Sequence, residues 1–348
     1  AAPSGMASEE RPPWQPGWLS ASDDPQDSEV ERRYTEWQRA RPQVVTFSPT
    51  TAVRCVDGWA EGVGRKRRFT RRWLPEGDPE ALVFYCPGYG DNVHGVIHTT
   101  GLTLANEGIA VFSMDAKGCG RSAGTRAFVR NFEHLVRSYV TYFSKIKEEF
   151  PGKKAVLMGE SMGGAIAIQI HRQHPELDVA GAILVAPMCR IADEIRPPAF
   201  VISVCQVLAK LVPTAPIIPS DDILARCFSD PALCGWCKAS PFFCECTAPS
   251  TQQATDSGKP RLQTGNECLR ISEDIQQNLK EVTMPLLVCH GGDDTVTDIN
   301  ASRDLVARAS SEKKTLKEYD GMWHGLLAEP DRLRVITDCL AFIREICQ

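Results

Sequence analysis

A serine lies between two glycines at the point where an apolar run gives way to a helical pattern. The pentapeptide is GESMG at residues 159–163, with Ser161 at its centre. Glycines at this spacing allow a very sharp strand-to-helix turn, because no side chain collides with the neighbouring backbone. Such a turn lifts the hydroxyl out of a sheet and points a helix N-terminus at it. The pattern indicates a nucleophile; a serine that only caps the helix is the alternative.

A serine hydroxyl is a weak nucleophile until a base takes its proton, and an acid must hold that base in one tautomer. Behind a turn of this kind, the acid and then the base follow further along the chain, each after a strand. Of the seven histidines, only His324 occupies this place, behind the strand-like run 315–319. The loop behind the run 285–289 offers three carboxylates: Asp293, Asp294 and Asp298. These residues predict acyl transfer through a covalent intermediate.

Acyl transfer also requires backbone N–H groups at the position where an oxyanion develops. One donor is expected from Met162, directly after the serine. The second is expected from the loop that follows the apolar run 81–86. That loop reads PGYG at residues 87–90, where Tyr89 supplies the N–H and the glycines let the backbone turn inward.

The elements that would position these residues alternate between strand and helix. An α/β fold is predicted, with a mostly parallel sheet covered by helices on both faces. Apolar runs predict strands at 53–59, 67–74, 81–86, 109–115, 155–159, 180–186, 285–289 and 315–319. Helical spacing predicts helices at 98–107, 132–150, from 162, 301–309 and 332–346.

Residues 190–280 interrupt this alternation. An insertion between two central strands, above their C-terminal ends, would cover the site that those ends form. We therefore predict a lid or cap at 190–280, with little helix in its cysteine-rich part 227–246 and a helix at 269–279. The core is predicted at 46–189 and 281–348, after a poorly ordered N-terminal lead-in at 1–45 that Trp14 or Trp18 would attach to the core.

Composition excludes some classes of function. The chain has 348 residues, of which 43% are apolar and 24% charged, with a net charge of −5, as in average soluble proteins. Nothing indicates nucleic-acid binding. The longest apolar stretch, 197–218, is interrupted by Lys210, Pro213 and Pro216, so no membrane-spanning helix is expected. A cytoplasmic location is expected, with transient contact between the lid and a membrane surface.

Cysteine is frequent, with fourteen residues, and several lie in the insertion. Four of these are closely spaced: Cys234, Cys237, Cys244 and Cys246. Their spacing leaves zinc binding, disulfide bonds and free thiols open, although it matches no familiar structural zinc pattern. No cofactor or catalytic metal is expected.

Several motifs together resemble the monoacylglycerol lipase and lysophospholipase family of α/β-hydrolases, most closely its plant-type branch, which includes caffeoylshikimate esterase-like members. They span about residues 66–347 and read PGYGD (87–91), DAKGCGRS (115–122), GESMGG (159–164), VAPMCRIAD (185–193), KPRL (259–262), HGGDDTVTD (290–298) and MWHGLL (322–327). The resemblance implies a triad of Ser161, Asp294 and His324, with Tyr89 and Met162 as oxyanion donors. Two departures are Pro87, where the family usually has histidine, and a longer, cysteine-rich lid.

The resemblance implies hydrolysis of a small lipid ester, either a monoacylglycerol or a lysophospholipid. The apolar stretch 199–212 would form an acyl tunnel in the lid or simply the lid's own core. Hydroxycinnamoyl ester hydrolysis and acyl transfer to an alcohol remain open. A non-catalytic ligand receptor is the alternative from a different class, which the intact triad disfavours.

Overall fold

The computed structural model describes residues 36–37, 39–41, 53–62, 67–190, 198–216, 222–240, 242 and 260–348. Its centre is an eight-stranded sheet with the order β1-β2-β4-β3-β5-β6-β7-β8. The strands are β1 (Arg54–Glu61), β2 (Arg67–Leu74), β3 (Ala81–Cys86), β4 (Ile109–Met114), β5 (Ala155–Glu160), β6 (Gly181–Val185), β7 (Leu286–Gly291) and β8 (Lys314–Tyr319).

From β4 onward every neighbouring pair in the sheet is parallel, whereas β1 with β2 and β2 with β4 are antiparallel. This confirms the predicted mostly parallel α/β sheet. The helices are α1 (Val96–Asn106), α2 (Phe132–Glu149), α3 (Met162–Gln173), α4 (Ala199–Leu211), α5 (Ile223–Cys227), α6 (Pro231–Lys238), α7 (Leu262–Gln277), α8 (Ile299–Arg308) and α9 (Arg332–Cys347).

Both faces of the sheet are covered by an apolar layer. The alternating side chains of β3 show this, since Phe84 belongs to the layer beneath α2 and α3, and Tyr85 to the layer beneath α1 and α9. Central strands that are buried on both faces read as continuous apolar runs, which is why the sequence pattern located them well.

The insertion between β6 and β7 contains α4, α5, α6 and α7. The expectation of little helix in 227–246 is wrong for the described residues, because α6 occupies 231–238. Its start has clear local causes: the Asp230 side chain accepts a hydrogen bond from the Ala232 N–H, and Pro231 is the first helical residue. In the sequence, the high density of cysteine around these capping residues favours an irregular loop instead of a helix.

A short N-terminal segment is attached to this insertion. Trp37 stacks on Trp236 of α6, with ring centroids 4.1 Å apart and planes 10° apart. Each indole N–H donates to the other residue's carbonyl, Trp37 at 2.6 Å and Trp236 at 2.9 Å. The attachment thus uses Trp37, whereas Trp14 and Trp18, with most of the predicted lead-in at 1–45, lie outside the described residues.

Candidate active site

Ser161 forms the turn between β5 and α3. Its backbone φ of 55° is rare for a residue with a side chain and marks a strained turn. Two backbone hydrogen bonds hold it there: its N–H donates to the Val185 carbonyl at 2.9 Å, and its carbonyl accepts from the Met188 N–H at 2.9 Å. The hydroxyl thus stands at the C-terminal edge of the sheet, and its residue is half-buried.

The glycines on either side permit close backbone approach. A Cβ on Gly163 would lie 1.9 Å from the Cys86 carbonyl oxygen, at the end of β3. A Cβ on Gly159 would lie 2.3 Å from the carbonyl oxygen of Gly163 itself. Both clashes are with backbone atoms, which a side-chain rotation cannot relieve. The sharp turn inferred from the sequence therefore has a direct steric cause.

The acid loop and the histidine loop begin at the same edge of the sheet. Register pairs Glu160 with Val185 at the ends of β5 and β6, and Gly291 with Tyr319 at the ends of β7 and β8. The two loops are also joined directly, because the Asp293 N–H donates to the Met322 carbonyl at 3.0 Å. Chain segments far apart in sequence therefore converge above one edge.

Asp294 and His324 are in hydrogen-bond contact. The Nδ1 atom of His324 lies 2.8 Å from Oδ2 of Asp294, and the two side chains are 6% and 0% exposed. A carboxylate in this position requires a proton on Nδ1 and leaves Nε2 to act as a base. Of the three acids that the sequence left open, Asp294 alone faces His324, since Asp298 caps α8 and pairs with Arg190, and Asp293 is exposed.

The environment of Asp294 keeps it ionised. Burial alone would raise the pKa of Asp294, but the charge of His324 and the contacts with His290 and His324 outweigh it and hold the pKa well below its usual range. Backbone N–H groups of Val296 and Thr297 also donate to Oδ1, at 2.7 and 3.1 Å. The carboxylate is therefore a fixed negative charge beside His324.

Two neighbours of Asp294 were not assigned a role from the sequence. The Thr297 hydroxyl donates to Oδ2 of Asp294 at 2.8 Å. His290 Nε2 lies 3.2 Å from the same oxygen, without good hydrogen-bond alignment, and His290 Nδ1 lies 2.8 Å from the Ser302 hydroxyl. Both residues belong to the segment HGGDDTVTD, so the same motif that pointed to the acid could have indicated its supports.

The loop expected to supply the second oxyanion donor adjoins Ser161. A Cβ added to Gly88 would lie 3.4 Å from the Cβ of Ser161, and Tyr89 follows in the chain. Met162 is the first residue of α3, where backbone N–H groups have no acceptor within the helix. Tyr89 and Met162 therefore stay the predicted oxyanion donors, each next in the chain to a residue that is at or beside Ser161.

A buried carboxyl supports the far end of the same loop. Asp115 accepts hydrogen bonds from the N–H groups of Val93 and Arg121, at 2.9 and 2.8 Å. Burial raises the pKa of Asp115 to about 7, although these two hydrogen bonds lower it. The segment DAKGCGRS therefore serves to hold the loop in place.

Part of the insertion is fastened to the loops that carry Asp294 and His324. The Gly325 N–H donates to the Cys227 carbonyl at 2.8 Å, and the Ser229 N–H donates to buried Glu329 at 2.9 Å. Arg226 contacts the hydroxyl of Thr295 at 3.1 Å. The segment 226–229 is therefore held against the two loops that carry Asp294 and His324.

Cys234 and Cys237 are buried in α6, near the Trp37 and Trp236 pair, whereas Cys244 and Cys246 lie outside the described residues. In the part of the chain that the structure describes, no helix is both long and apolar enough to cross a bilayer.

Sequence comparison identifies relatives over most of the chain. The family model described as serine aminopeptidase, S33, matches residues 77–331. Caffeoylshikimate esterase of Arabidopsis thaliana is 31% identical over 76% of this chain and 77% of that protein. Human monoglyceride lipase is 28% identical over 84% of this chain and 88% of that protein.

Comparison with solved structures agrees on the fold. A soluble variant of the Saccharomyces cerevisiae monoglyceride lipase, in complex with a substrate analog, superposes with a TM-score of 0.70 at 18% identity, over 87% of this chain and 98% of that one. A monoacylglycerol lipase of Paleococcus ferrophilus superposes with a TM-score of 0.63 at 19% identity. The chain belongs to the serine aminopeptidase, S33 family of α/β-hydrolases and is a carboxylic ester hydrolase of its monoacylglycerol lipase-like branch.

Proposed function

We propose that the protein hydrolyses a monoacylglycerol through an acyl-enzyme on Ser161. In this mechanism the Ser161 oxygen attacks the ester carbonyl while Nε2 of His324 takes the hydroxyl proton. The N–H groups of Tyr89 and Met162 stabilise the oxyanion. The imidazolium then gives its proton to the leaving glycerol oxygen. Water, deprotonated by His324, releases the fatty acid and restores the serine.

One observation carries this proposal: the buried contact of 2.8 Å between Asp294 and His324, at the sheet edge where Ser161 forms a strained turn. A strained backbone lowers stability, and strained residues and buried carboxylates with shifted pKa values are both found mainly where chemistry needs them. A receptor that only bound a ligand would need neither.

The insertion supports a lipid substrate. Large apolar side chains of α4 are exposed, with Phe200 at 73% and Leu211 at 74%. Exposed apolar residues on one helix are typical of a surface that contacts lipid or an acyl chain. We therefore assign 190–280 as the lid and α4 as its membrane-facing part. The relatives named monoglyceride lipase favour a glycerol ester over a lysophospholipid.

Hydroxycinnamoyl ester hydrolysis is the second candidate. The observation in its favour is the 31% identity with caffeoylshikimate esterase, which exceeds the 28% identity with human monoglyceride lipase. The small difference does not outweigh the exposed apolar helix, because an aromatic acyl group on a polar alcohol requires no lipid-facing surface.

The test is a substrate panel combined with active-site labelling. Values of kcat/KM are measured for monoacylglycerols, lysophospholipids and hydroxycinnamoyl esters. The proteins compared are the wild type, Ser161→Ala and, as a matched control, Ser203→Ala, which changes an exposed serine of α4. We expect monoacylglycerols to be preferred, and labelling by a fluorophosphonate probe to disappear only in Ser161→Ala. Preference for the aromatic esters would replace the substrate assignment, and labelling that survives Ser161→Ala would refute the mechanism.

A further inference from the structure

A buried glutamate directly precedes the nucleophile and has no part in the mechanism above. Glu160 is the last residue of β5, and its side chain is 9% exposed. The Tyr85 hydroxyl donates to its Oε2 atom at 2.7 Å, and Tyr85 itself is fully buried. Because a buried carboxyl group lowers stability, its presence beside the reacting serine calls for a functional reason.

The position of Glu160 in β5 places it on the same side of the sheet as the His324 loop. Successive strand side chains point to opposite faces, so Glu160 shares its face with Met158. Met158 belongs to the apolar layer that also contains Tyr85, Met322 and Leu326. Met322 and Leu326 flank His324 in the chain, so the His324 loop packs against the face of the sheet that carries Glu160.

We propose that Glu160 is an ionised positioning carboxylate that stabilises the imidazolium form of His324, while Tyr85 fixes its place. This inference rests on the acyl-enzyme mechanism proposed above. When Ser161 gives its proton to Nε2, a positive charge appears on the ring. Asp294 faces that charge at Nδ1, and Glu160 adds a second negative charge. No proton passes to Glu160, and no bond to it forms.

Several groups act on the protonation of Glu160. Burial raises the pKa of Glu160 above its usual value, whereas the hydrogen bond from Tyr85 and the charge of His324 oppose that rise. The other groups that act on these partners are Asp294 and His290 near His324, and Asp91 and Cys339 near Tyr85.

The experiment compares Glu160→Gln with the wild type across pH. Glutamine keeps the shape and the acceptor for Tyr85 but removes the charge, so the imidazolium loses support and the acid limb of kcat/KM should move to lower pH by about one unit. We expect kcat to fall about tenfold with KM unchanged, since one unit corresponds to tenfold. Glu160→Asp, which keeps the charge, should leave the acid limb in place.

Two readouts separate this role from a structural one. Removing a buried charge while keeping the acceptor for Tyr85 should leave the melting temperature of Glu160→Gln unchanged or higher, although activity falls. Glu267→Gln is the matched control, because Glu267 is also buried but accepts its hydrogen bond from the Phe132 N–H. The acid limb of kcat/KM for Glu267→Gln should not move. An unmoved acid limb in Glu160→Gln, or joint loss of folding and activity, would overturn the proposal.

The proposal and the general mechanism can fail separately. Fluorophosphonate labelling of Ser161 in the wild type tests the acyl-enzyme alone. If that labelling is present and lost in Ser161→Ala, a flat response of Glu160→Gln overturns only the role of Glu160. If labelling does not depend on Ser161, the mechanism itself is wrong and the role of Glu160 falls with it.

Discussion

Replacing Gly163 by alanine adds only one methyl group, yet it should disable the enzyme. The new Cβ would lie 1.9 Å from the Cys86 carbonyl oxygen, 2.7 Å from the Cys86 carbonyl carbon and 2.8 Å from the Pro87 oxygen. Since a Cβ contact under 3.0 Å is essentially never adopted, the start of α3 and the end of β3 must separate by more than about 1 Å. That movement displaces Ser161 from the loop of Tyr89, its proposed oxyanion donor.

The energies involved predict that Gly163→Ala loses both folding stability and catalytic rate. Overpacking of this kind costs about 1–3 kcal/mol, whereas alanine gains about 1 kcal/mol over glycine from helix propensity. The clash is with rigid backbone, so we expect the upper part of that range and a net destabilisation of about 1–2 kcal/mol. Misplacing reacting groups by about 1 Å reduces the rate by about 100-fold.

A second helical glycine provides the control. Gly235 lies in α6, and a Cβ there would meet nothing within 4 Å. Gly235→Ala should therefore raise the free energy of unfolding by about 0.5–1 kcal/mol and leave the rate unchanged. The assays are urea unfolding and hydrolysis of a short-chain p-nitrophenyl ester. Wild-type kcat in Gly163→Ala would show that the turn does not set the geometry of the reaction.

Three further changes test other parts of the structure. Asp294→Asn should lower kcat by about 10³–10⁴ while KM changes little, because an amide does not fix the productive tautomer of the base, and steady-state kinetics checks this. The folded-state pKa of Asp294 lies below that of an unfolded aspartate, so its contribution to stability is complete above about pH 4 and is lost as pH falls through the folded value. Urea unfolding of Asp294→Asn should accordingly show a weaker loss of stability between neutral and acidic pH. Trp37→Ala and Trp236→Ala should each lower the free energy of unfolding by about 3–5 kcal/mol. In a double-mutant cycle the double variant should lose less than the sum of the two, with a coupling energy of about 0.5–3 kcal/mol. Additive losses would contradict the stacked arrangement. Phe200→Ser combined with Leu211→Ser should reduce co-sedimentation with phosphatidylcholine vesicles and leave hydrolysis of a dispersed short-chain ester intact, and undiminished vesicle binding would remove α4 as the contact surface.

The sequence predicted the fold well because the central strands are buried on both faces. Runs such as 81–86 and 155–159 are continuously apolar, and the structure has strands over Ala81–Cys86 and Ala155–Glu160. The pattern was weaker where local capping decides the structure. At α6 the aspartate cap and the proline at the first helical position favour a helix, whereas the density of cysteine around them favours an irregular loop.

In the candidate site, chain order predicts some residues, whereas others are distinguished only by their contacts in space. Chain order and strand ends predicted Ser161 and His324, and the sheet brings the loops that carry them to one edge. Order did not separate Asp294 from its neighbours, since the three acids share one loop and only a distance of 2.8 Å to His324 distinguishes Asp294. Contacts between remote segments, such as Trp37 with Trp236, have no periodic signal in the sequence at all.

The insertion consists of two parts with different attachments, and this bears on how substrate reaches Ser161. The segment 226–229 is hydrogen-bonded to the loops of Asp294 and His324. Moving this segment would therefore disturb the two residues that are proposed to take the proton of the Ser161 hydroxyl and to hold the base in place. Within the described residues, α4 buries one side chain, Ala209, half-buries Val201, Ile202, Cys205 and Leu208, and exposes the others. The segment 213–215, which follows α4, accepts hydrogen bonds from the first N–H groups of α7. Because local opening follows the elements with the fewest buried contacts, we expect substrate to enter from the α4 side, while the segment 226–229 stays in place. An engineered disulfide that fixed α4 to α7 should then slow hydrolysis of long-chain esters more than that of short, dispersed ones.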